Sequence, residues 1–444
     1  MVFLKLSNVK RTDVQQIIEI QSDNELNVNN INTNFIFNIK RPFISIKQIT
    51  SKLCSLHKNS NICICISNLP QKYKNVFLTY LSKSMYTFDK YITEKSKSKD
   101  DSTNIYYIYD NEKTIQLYSK FIKSQKCADI TRNLENEPAN MLSPDRFCNV
   151  VRKIFKTTPK AAGTQVKISV LNEEQMKKEG LNLVLSIGLS SKRMPRFMTI
   201  ELLNDPSYPT ICLIGKTVIY DAGGLNIKLA SMTPSMKTDK SGGSVVVGIM
   251  KYFLEHKIKC NIVGILPIVE NLLSEDVTRP GDIVKSYSGK TVEITDTDAE
   301  GRLIMADAIA YSKKFNPTYL FDLATLTGWS EAVHMDTNAV CYCRDMELAS
   351  KVNKLGDIVG ERVWFLPPWD EYMYYTKSAV ANIRNYNMDI REGAYLPSMF
   401  LLSFVPLELR DNYIHFDICN NFVNDIAKGN CVVLVIELIK SIVS

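Results

Sequence analysis

The stretch Asp296-Thr297-Asp298-Ala299-Glu300-Gly301-Arg302 sets three carboxylates within five positions, between a strand-length apolar run (Thr291 to Ile294) and a helical pattern (Arg302 to Lys314). Like charges this dense repel one another unless cations lie among them, so a fold that accepts this junction must bring positive charge to it. A simpler reading is that Asp298 and Glu300 cap the helix beginning near Arg302, as acidic residues at helix starts often do. A second segment makes capping insufficient. Lys216 and Asp221 stand at the two ends of an apolar strand-like run, followed by Gly223-Gly224, Lys228, Met236, Asp239 and Gly242-Gly243. Buried charges at strand ends need partners, and tandem glycines let backbone approach another group closely. Capping explains neither.

Around these segments, apolar runs of strand length alternate with helical patterns. The runs are Val166 to Leu171, Leu181 to Ile187, Met198 to Leu203, Ile211 to Ile214, Cys260 to Pro267, Thr291 to Ile294 and Tyr319 to Leu323; helices are expected over Ser241 to His256 and Arg302 to Lys314. Such alternation predicts an α/β fold with a sheet covered on both faces, whose ligands gather at the carboxyl ends of strands. A chain of 444 residues exceeds one ordinary core, so two domains are expected. Residues 1–130 read as a smaller N-terminal α/β domain, with strand-like runs at Phe35 to Ile39, Ile62 to Ile66 and Ile105 to Tyr109, a helix near Tyr73 to Tyr86, and a loop at Lys95 to Asn104. A helix from about Asp129 is ended by Pro138, and Ser143-Pro144 opens the next. Residues 131–444 are expected to form the larger domain, a mixed central sheet flanked by helices.

Several chemistries are disfavoured. The four histidines, His57, His256, His334 and His415, include no pair at helical i, i+4 spacing, which argues against a histidine-based zinc hydrolase. Neither a Gly-x-Ser-x-Gly elbow nor a phosphate-binding Gly-x-x-x-x-Gly-Lys-Ser/Thr loop occurs. The eleven cysteines read as reduced thiols; the close pairs Cys63/Cys65 and Cys341/Cys343 alternate onto one strand face as buried structural residues. The net charge of +7 is spread along the chain, and the Lys95, Lys97, Lys99 run is followed by Asp100 and Asp101, so no nucleic-acid patch is expected. No apolar stretch reaches the roughly 18–20 residues of a membrane span, and Met1 to Lys10 carries no secretory pattern, so a cytoplasmic chain is expected.

The residues Lys216, Asp221, Lys228 and Asp239, at the spacing Lys-x4-Asp-x6-Lys-x10-Asp, followed by Asp-Thr-Asp-Ala-Glu-Gly-Arg-Leu, closely resemble the signature of the M17 leucyl aminopeptidase (cytosol aminopeptidase) family. The similarity runs from Asn133-Leu134-Glu135-Asn136 and Pro138 through Ile187-Gly188, Asp322 to Gly328 and Ser378 to Asn382 to His415-Phe416-Asp417-Ile418, most of the chain beyond residue 130. The resemblance implies a metal-dependent exopeptidase taking Leu- or Met-like residues from the N-termini of short peptides. It also implies two divalent ions per subunit (Zn, Mn, Co or Mg) and a homohexamer. Asp221 and Glu300 would bridge the ions, Lys216 and Asp239 would complete the tighter site, and Asp298 the more exchangeable one. Lys228 would be the electrophile. Arg302, with backbone groups of Ala299, Gly301 and Leu326, would hold a bicarbonate ion acting as general base. Met236, Asp296, Thr325, Leu326 and Gly328 would contact substrate.

Elementary chemistry is consistent with those roles. Paired divalent ions lower the pKa of a shared water from about 15.7 toward neutrality. Lys216 ligates only as a neutral amine, which adjacent divalent charge favours, whereas Lys228 is useful charged, opposite an oxyanion. The chain departs from the family pattern at Asp296 (usually Asn), Ala222 (frequently Ser) and Trp329 (usually small), none of them a ligand position. Competing readings are a DNA-binding accessory, a structural paralogue without activity, and a Cys-Gly dipeptidase. The ligand positions are all kept, which argues against the paralogue.

Overall fold

The computed structural model describes residues 16–22, 35–37, 41–56, 62–66, 69–93, 106–109, 112–330, 338–367, 369–390, 393–418 and 426–444. It divides into two compact units, the first holding the chain up to Lys126 together with Lys354–Glu361, the second holding Cys127–Asn353 and Arg362–Ser444.

In the first unit, strands β1 (Gln16–Ser22), β2 (Phe35–Phe37), β3 (Ile62–Cys65) and β4 (Tyr106–Tyr109) form a parallel sheet in the order β2-β1-β3-β4. Helices α1 (Pro42–Leu56) and α2 (Gln71–Met85) pack against each other, burying Ile46, Leu53, Phe77 and Leu81. The expected loop at 95–104 and the side chains of Cys63 and Cys65 lie outside the described residues.

Helix α3 (Glu112–Asn136) starts well before Asp129 but ends where Pro138 requires. Helix α4 (Pro144–Thr157) opens as expected, with Pro144 in its first turn and the Ser143 hydroxyl accepting the Arg146 amide. The second unit then builds a nine-stranded mixed sheet. Strands β5 (Gln165–Leu171), followed in the chain by the short helix α5 (Glu173–Glu179), and β6 (Arg196–Leu203) form an antiparallel edge; β7 (Thr210–Gly215) and β8 (Thr217–Asp221) both run parallel to β9 (Asn261–Asn271). Strand β12 (Tyr319–Ala324) lies parallel between β7 and β16 (Tyr413–Ile418), and β13 (Ala339–Cys343) and β14 (Val363–Leu366), with helix α9 (Met346–Val359) between them in the chain, complete the other edge. A small satellite sheet contains β10 (Ile283–Lys285), β11 (Thr291–Glu293) and β15 (Ile383–Arg384). Cys341 and Cys343 are buried in β13.

Helix α7 (Ser241–Glu255) packs on β7, β9 and β12 and is in turn contacted by α4 and by α11 (Val432–Val443), so it is apolar nearly all round. Helix α8 (Glu300–Tyr311), buried along its whole length, packs with α6 (Asn182–Gly188) and α10 (Tyr395–Leu402) into a core shared with Cys212 and Ile214 of β7 and Tyr413 of β16. It begins two residues before Arg302, and a 3-10 turn over Ser312–Phe315 replaces the end of the expected helix.

Leu181 to Ile187 is not a strand; it is most of α6. Its apolar residues cover α8, while the Asp307 carboxylate of α8 accepts the free first-turn amides of Leu183 (2.8 Å) and Val184 (3.3 Å) and the Tyr287 amide (2.7 Å). An apolar run of seven carries no period that separates strand from helix, and here a distant carboxylate at the helix start satisfied the helical choice.

Candidate active site

The polar residues singled out in the sequence meet at the carboxyl ends of β7, β8 and β12. Lys216 follows directly on β7, Asp221 is the last residue of β8, and Thr325 follows β12. The break between β7 and β8 depends on close backbone approach. A Cβ on Gly242 would lie 2.0 Å from the Leu323 carbonyl and one on Gly243 2.1 Å from the Thr217 hydroxyl, so α7 begins against this break only with glycine at both places.

Two lysines organise the cluster. The Lys216 ammonium lies 2.8 Å from Asp239 Oδ1 and 2.9 Å from Glu300 Oε1, and donates to the Thr325 carbonyl at 2.8 Å. Lys228 lies 2.8 Å from Asp221 Oδ2 and 2.5 Å from Asp298 Oδ1. Carboxylate oxygens of Asp221, Asp298 and Glu300 fall within 4.8 Å of one another, a spacing suited to a cation. Four carboxylates thus face two ammonium groups, and the buried Oδ2 of Asp239 has no hydrogen-bond partner. No side chain caps α8: Ala299 stands at its N-cap, and Glu300 of the first turn is paired with Lys216.

The titration tendencies follow from crowding. Burial, then the charges of Glu300 and Asp221, push Asp298 up to about 7. Burial also raises Asp221 and Asp239. Burial acts to lower both lysines, but Asp239, Glu300 and Asp221 outweigh it at Lys216, and Asp221, Glu300 and Asp298 outweigh it at Lys228, so both are held above the usual lysine range. Glu300 also feels burial, yet Lys216 and Lys228 keep it below the usual carboxylate range. A surplus of mutually repelling oxygen donors, one of them orphaned, is a donor set that hard or borderline divalent ions fit.

Residues that sequence reasoning did not single out lock the two segments together. The Thr297 hydroxyl donates to the Gly223 carbonyl (2.7 Å) and accepts the Asn226 amide (2.8 Å), and Asn226 Oδ1 accepts the Thr297 amide (3.0 Å). Asn271, at the end of β9, donates to Asp221 Oδ1 (2.9 Å) and to the Thr297 carbonyl (3.0 Å). Gly223 and Gly224 have φ of 92° and 65°, and a Cβ on Gly223 would stand 2.4 Å from the Asn226 carbonyl. The tandem glycines thus mark backbone held against the acidic junction. Thr297 and Asn226 lie inside the marked segments, whereas Asn271 lies well outside both and carried no sequence signal.

Arg302, buried in the first turn of α8, donates to the Asn385 carbonyl at 2.6 Å and lies 5.8 Å from the Tyr386 ring centre. Asn385 also donates to the Asp296 carbonyl (2.6 Å) and the Ala299 carbonyl (3.3 Å), which shapes the junction from outside. Asp296 Oδ1 accepts the Asp298 amide at 2.8 Å. Met236 is half-buried in a 3-10 helix over Thr233–Thr238, and Gly328 is exposed. Thr325 directs its carbonyl to Lys216 and its hydroxyl to Asp239 (2.8 Å), while the Leu326 amide is given to Asp417 (2.8 Å).

Gly301 explains how Lys216 reaches the cluster. A Cβ there would lie 2.6 Å from Lys216 Cε and 2.7 Å from its Nζ. Gly301→Ala should therefore displace the amine and weaken Mn²⁺ binding by about tenfold or more, as loss of supporting geometry around a metal does. Calorimetric titration of the chelator-treated protein checks this, and wild-type affinity in the alanine variant would contradict it.

Residues 129–432 match the model of the cytosol aminopeptidase family catalytic domain. A "probable cytosol aminopeptidase" from Rickettsia canadensis is 34% identical over 324 residues, 72% of this chain and 64% of the relative, so the chain spans a little under two thirds of that protein. Another from Phytoplasma mali is 34% identical over 371 residues, 80% of this chain and 72% of the relative. Among solved structures, the cytosol aminopeptidase of Coxiella burnetii superposes with a TM-score of 0.84 at 21% identity, covering 100% of this chain and 99% of that one. The bottromycin maturation enzyme BotP in complex with Mn gives 0.82 at 20%, covering 97% and 100%. At these identities the two structures speak to the fold alone.

Proposed function

The chain belongs to the cytosol aminopeptidase family, and from that premise we propose that it is a metal-dependent aminopeptidase releasing N-terminal residues from short peptides. The observation that carries this reading is the cluster itself: four carboxylates organised by Lys216 and Lys228 at the ends of β7, β8 and β12. Asp221, Glu300, Lys216, Asp239 and Asp298 are the residues that would hold two divalent ions, whether zinc, manganese, cobalt or magnesium. Bound there, such ions supply Lewis acidity toward the scissile carbonyl, acidify a shared water and seat a free α-amine.

The chain's own groups do the rest. Lys228, held between Asp221 and Asp298, presents a positive charge to oxygen that becomes negative during hydrolysis. Arg302, with Ala299 and Gly301, is assigned to hold bicarbonate as the general base, and any share of the Leu326 amide is taken in common with Asp417. Met236 is assigned as the adaptable floor of a pocket for Leu or Met side chains, with Asp296, Thr325, Leu326 and Gly328 assigned as further substrate contacts. We read the assembly as a cytosolic homohexamer; no described helix is long and apolar enough to cross a membrane.

A panel of fluorogenic amino-acid amides, run after chelation and re-addition of each metal, tests the reading. Leucyl and methionyl amides should be cleaved at least about tenfold faster than aspartyl or glutamyl amides, a difference of about 1.4 kcal/mol in barrier. Asp296→Asn, which preserves the amide-accepting oxygen, should narrow that gap by removing a charge. N-acetyl-leucyl amide should be inert. Comparable cleavage of blocked and free leucyl amides would refute exopeptidase action.

A further inference from the structure

We propose that Asp417 is a positioning residue for the metal cluster: it fixes the turn after β12, and through that turn the placing of Lys216 and Asp239. The proposal deepens the aminopeptidase reading, but its geometry stands on this chain's residues. Asp417 is buried near the end of β16 and pairs in register with Ala324, the last residue of β12. Its carboxylate therefore stands beside the point where β12 gives way to Thr325-Leu326-Thr327. Oδ1 accepts the Leu326 amide at 2.8 Å and the Thr327 amide at 3.1 Å, and Oδ2 accepts the Thr327 hydroxyl at 2.6 Å. Three donors converge on one charged acceptor, which is the stronger kind of hydrogen bonding.

The turn so held faces the cluster with both polar groups of Thr325. Its carbonyl accepts from Lys216 Nζ at 2.8 Å and its hydroxyl donates to Asp239 Oδ1 at 2.8 Å. The Lys216 amide, for its part, donates to the Leu323 carbonyl at 3.0 Å on the same strand. One buried carboxylate outside the cluster thus sets where the acceptor for Lys216 stands and which way Asp239 is turned. Two residues earlier on the same strand face, His415 Nδ1 lies 2.6 Å from Asp322 Oδ1, and Tyr413 donates to Asp322 Oδ2; these contacts tie β16 to β12 at the register that Asp417 needs. Outer groups of this kind orient ligands and tune how tightly a metal is held.

Three variants of the full chain test this by Mn²⁺ titration calorimetry alongside leucyl-amide kinetics. Asp417→Asn keeps an acceptor for the two amides but loses the charge, and Thr327→Val removes only the hydroxyl. Each should weaken Mn²⁺ binding and lower kcat by about tenfold with little change in KM, as loss of an outer-shell group does. Thr327→Ser, which restores the hydroxyl, should recover both quantities. If folded Asp417→Asn and Thr327→Val bind Mn²⁺ and turn over within about twofold of wild type, Asp417 only satisfies backbone amides and the proposal is wrong. Failure of Thr327→Ser to recover would overturn it equally. Should Asp417→Asn not fold, Thr327→Val decides by itself. A wild-type protein inert toward leucyl amides would defeat the aminopeptidase reading, while the Mn²⁺ titrations would still decide the role of Asp417.

Discussion

Asp298→Ala and Glu300→Ala proteins will fold, bind less metal, and cleave leucyl amides at least about a thousandfold more slowly than the parent. The two residues differ in setting, which makes the pair informative. The Asp298 side chain is 30% exposed and adjoins Asp221 and Glu300, so its loss relieves repulsion at little structural cost. Glu300 is buried, and removing one partner of a buried ion pair ordinarily costs about 3–5 kcal/mol. Here Lys216 retains Asp239 at 2.8 Å and the Thr325 carbonyl at 2.8 Å, so the ammonium is not left alone. Glu300→Ala should therefore melt earlier than the parent but remain folded at room temperature. Metal analysis after dialysis, thermal unfolding and kinetics on the same samples separate these effects. Substantial turnover with an undiminished metal complement in both variants would sink the assignment of these carboxylates.

Lys228→Ala should show the opposite pattern, with metal retained and kcat lowered by about two to three orders of magnitude, the usual consequence of losing an oxyanion-stabilising donor. Lys228 lies between Asp221 and Asp298. Deleting its ammonium leaves those carboxylates facing each other with less positive charge nearby, so affinity for divalent ions should hold or increase. A tighter Mn²⁺ isotherm together with a collapsed kcat would be a signature that loss of folding cannot produce. Undiminished kcat would show that the role belongs to another group, and loss of metal would make Lys228 a structural counter-charge instead.

The chemistry-bearing segments and the class of fold were legible in the chain's local pattern alone. Three carboxylates in five positions, and Lys216 and Asp221 at the ends of an apolar run, are statements about local charge and burial that hold before any partner is known. The strands β5, β6, β7, β9, β11 and β12 and the helices α7 and α8 were legible for the same reason, since each carries its own length, period and boundary residues. What the local pattern lacked came from long-range packing. Leu181 to Ile187 became helical because its apolar side chains cover α8 and because Asp307, 124 residues beyond Leu183, accepts its first amides. Asn271, Asn385 and Asp417 gave no sign of their roles, for each acts on a segment 26 to 91 residues away: Asn271 on Thr297, Asn385 on Asp296 and Arg302, Asp417 on the turn after β12. A sequence displays which groups need partners when buried, but the identity of the partner depends on which strand ends lie side by side, and only the ordered sheet supplies that.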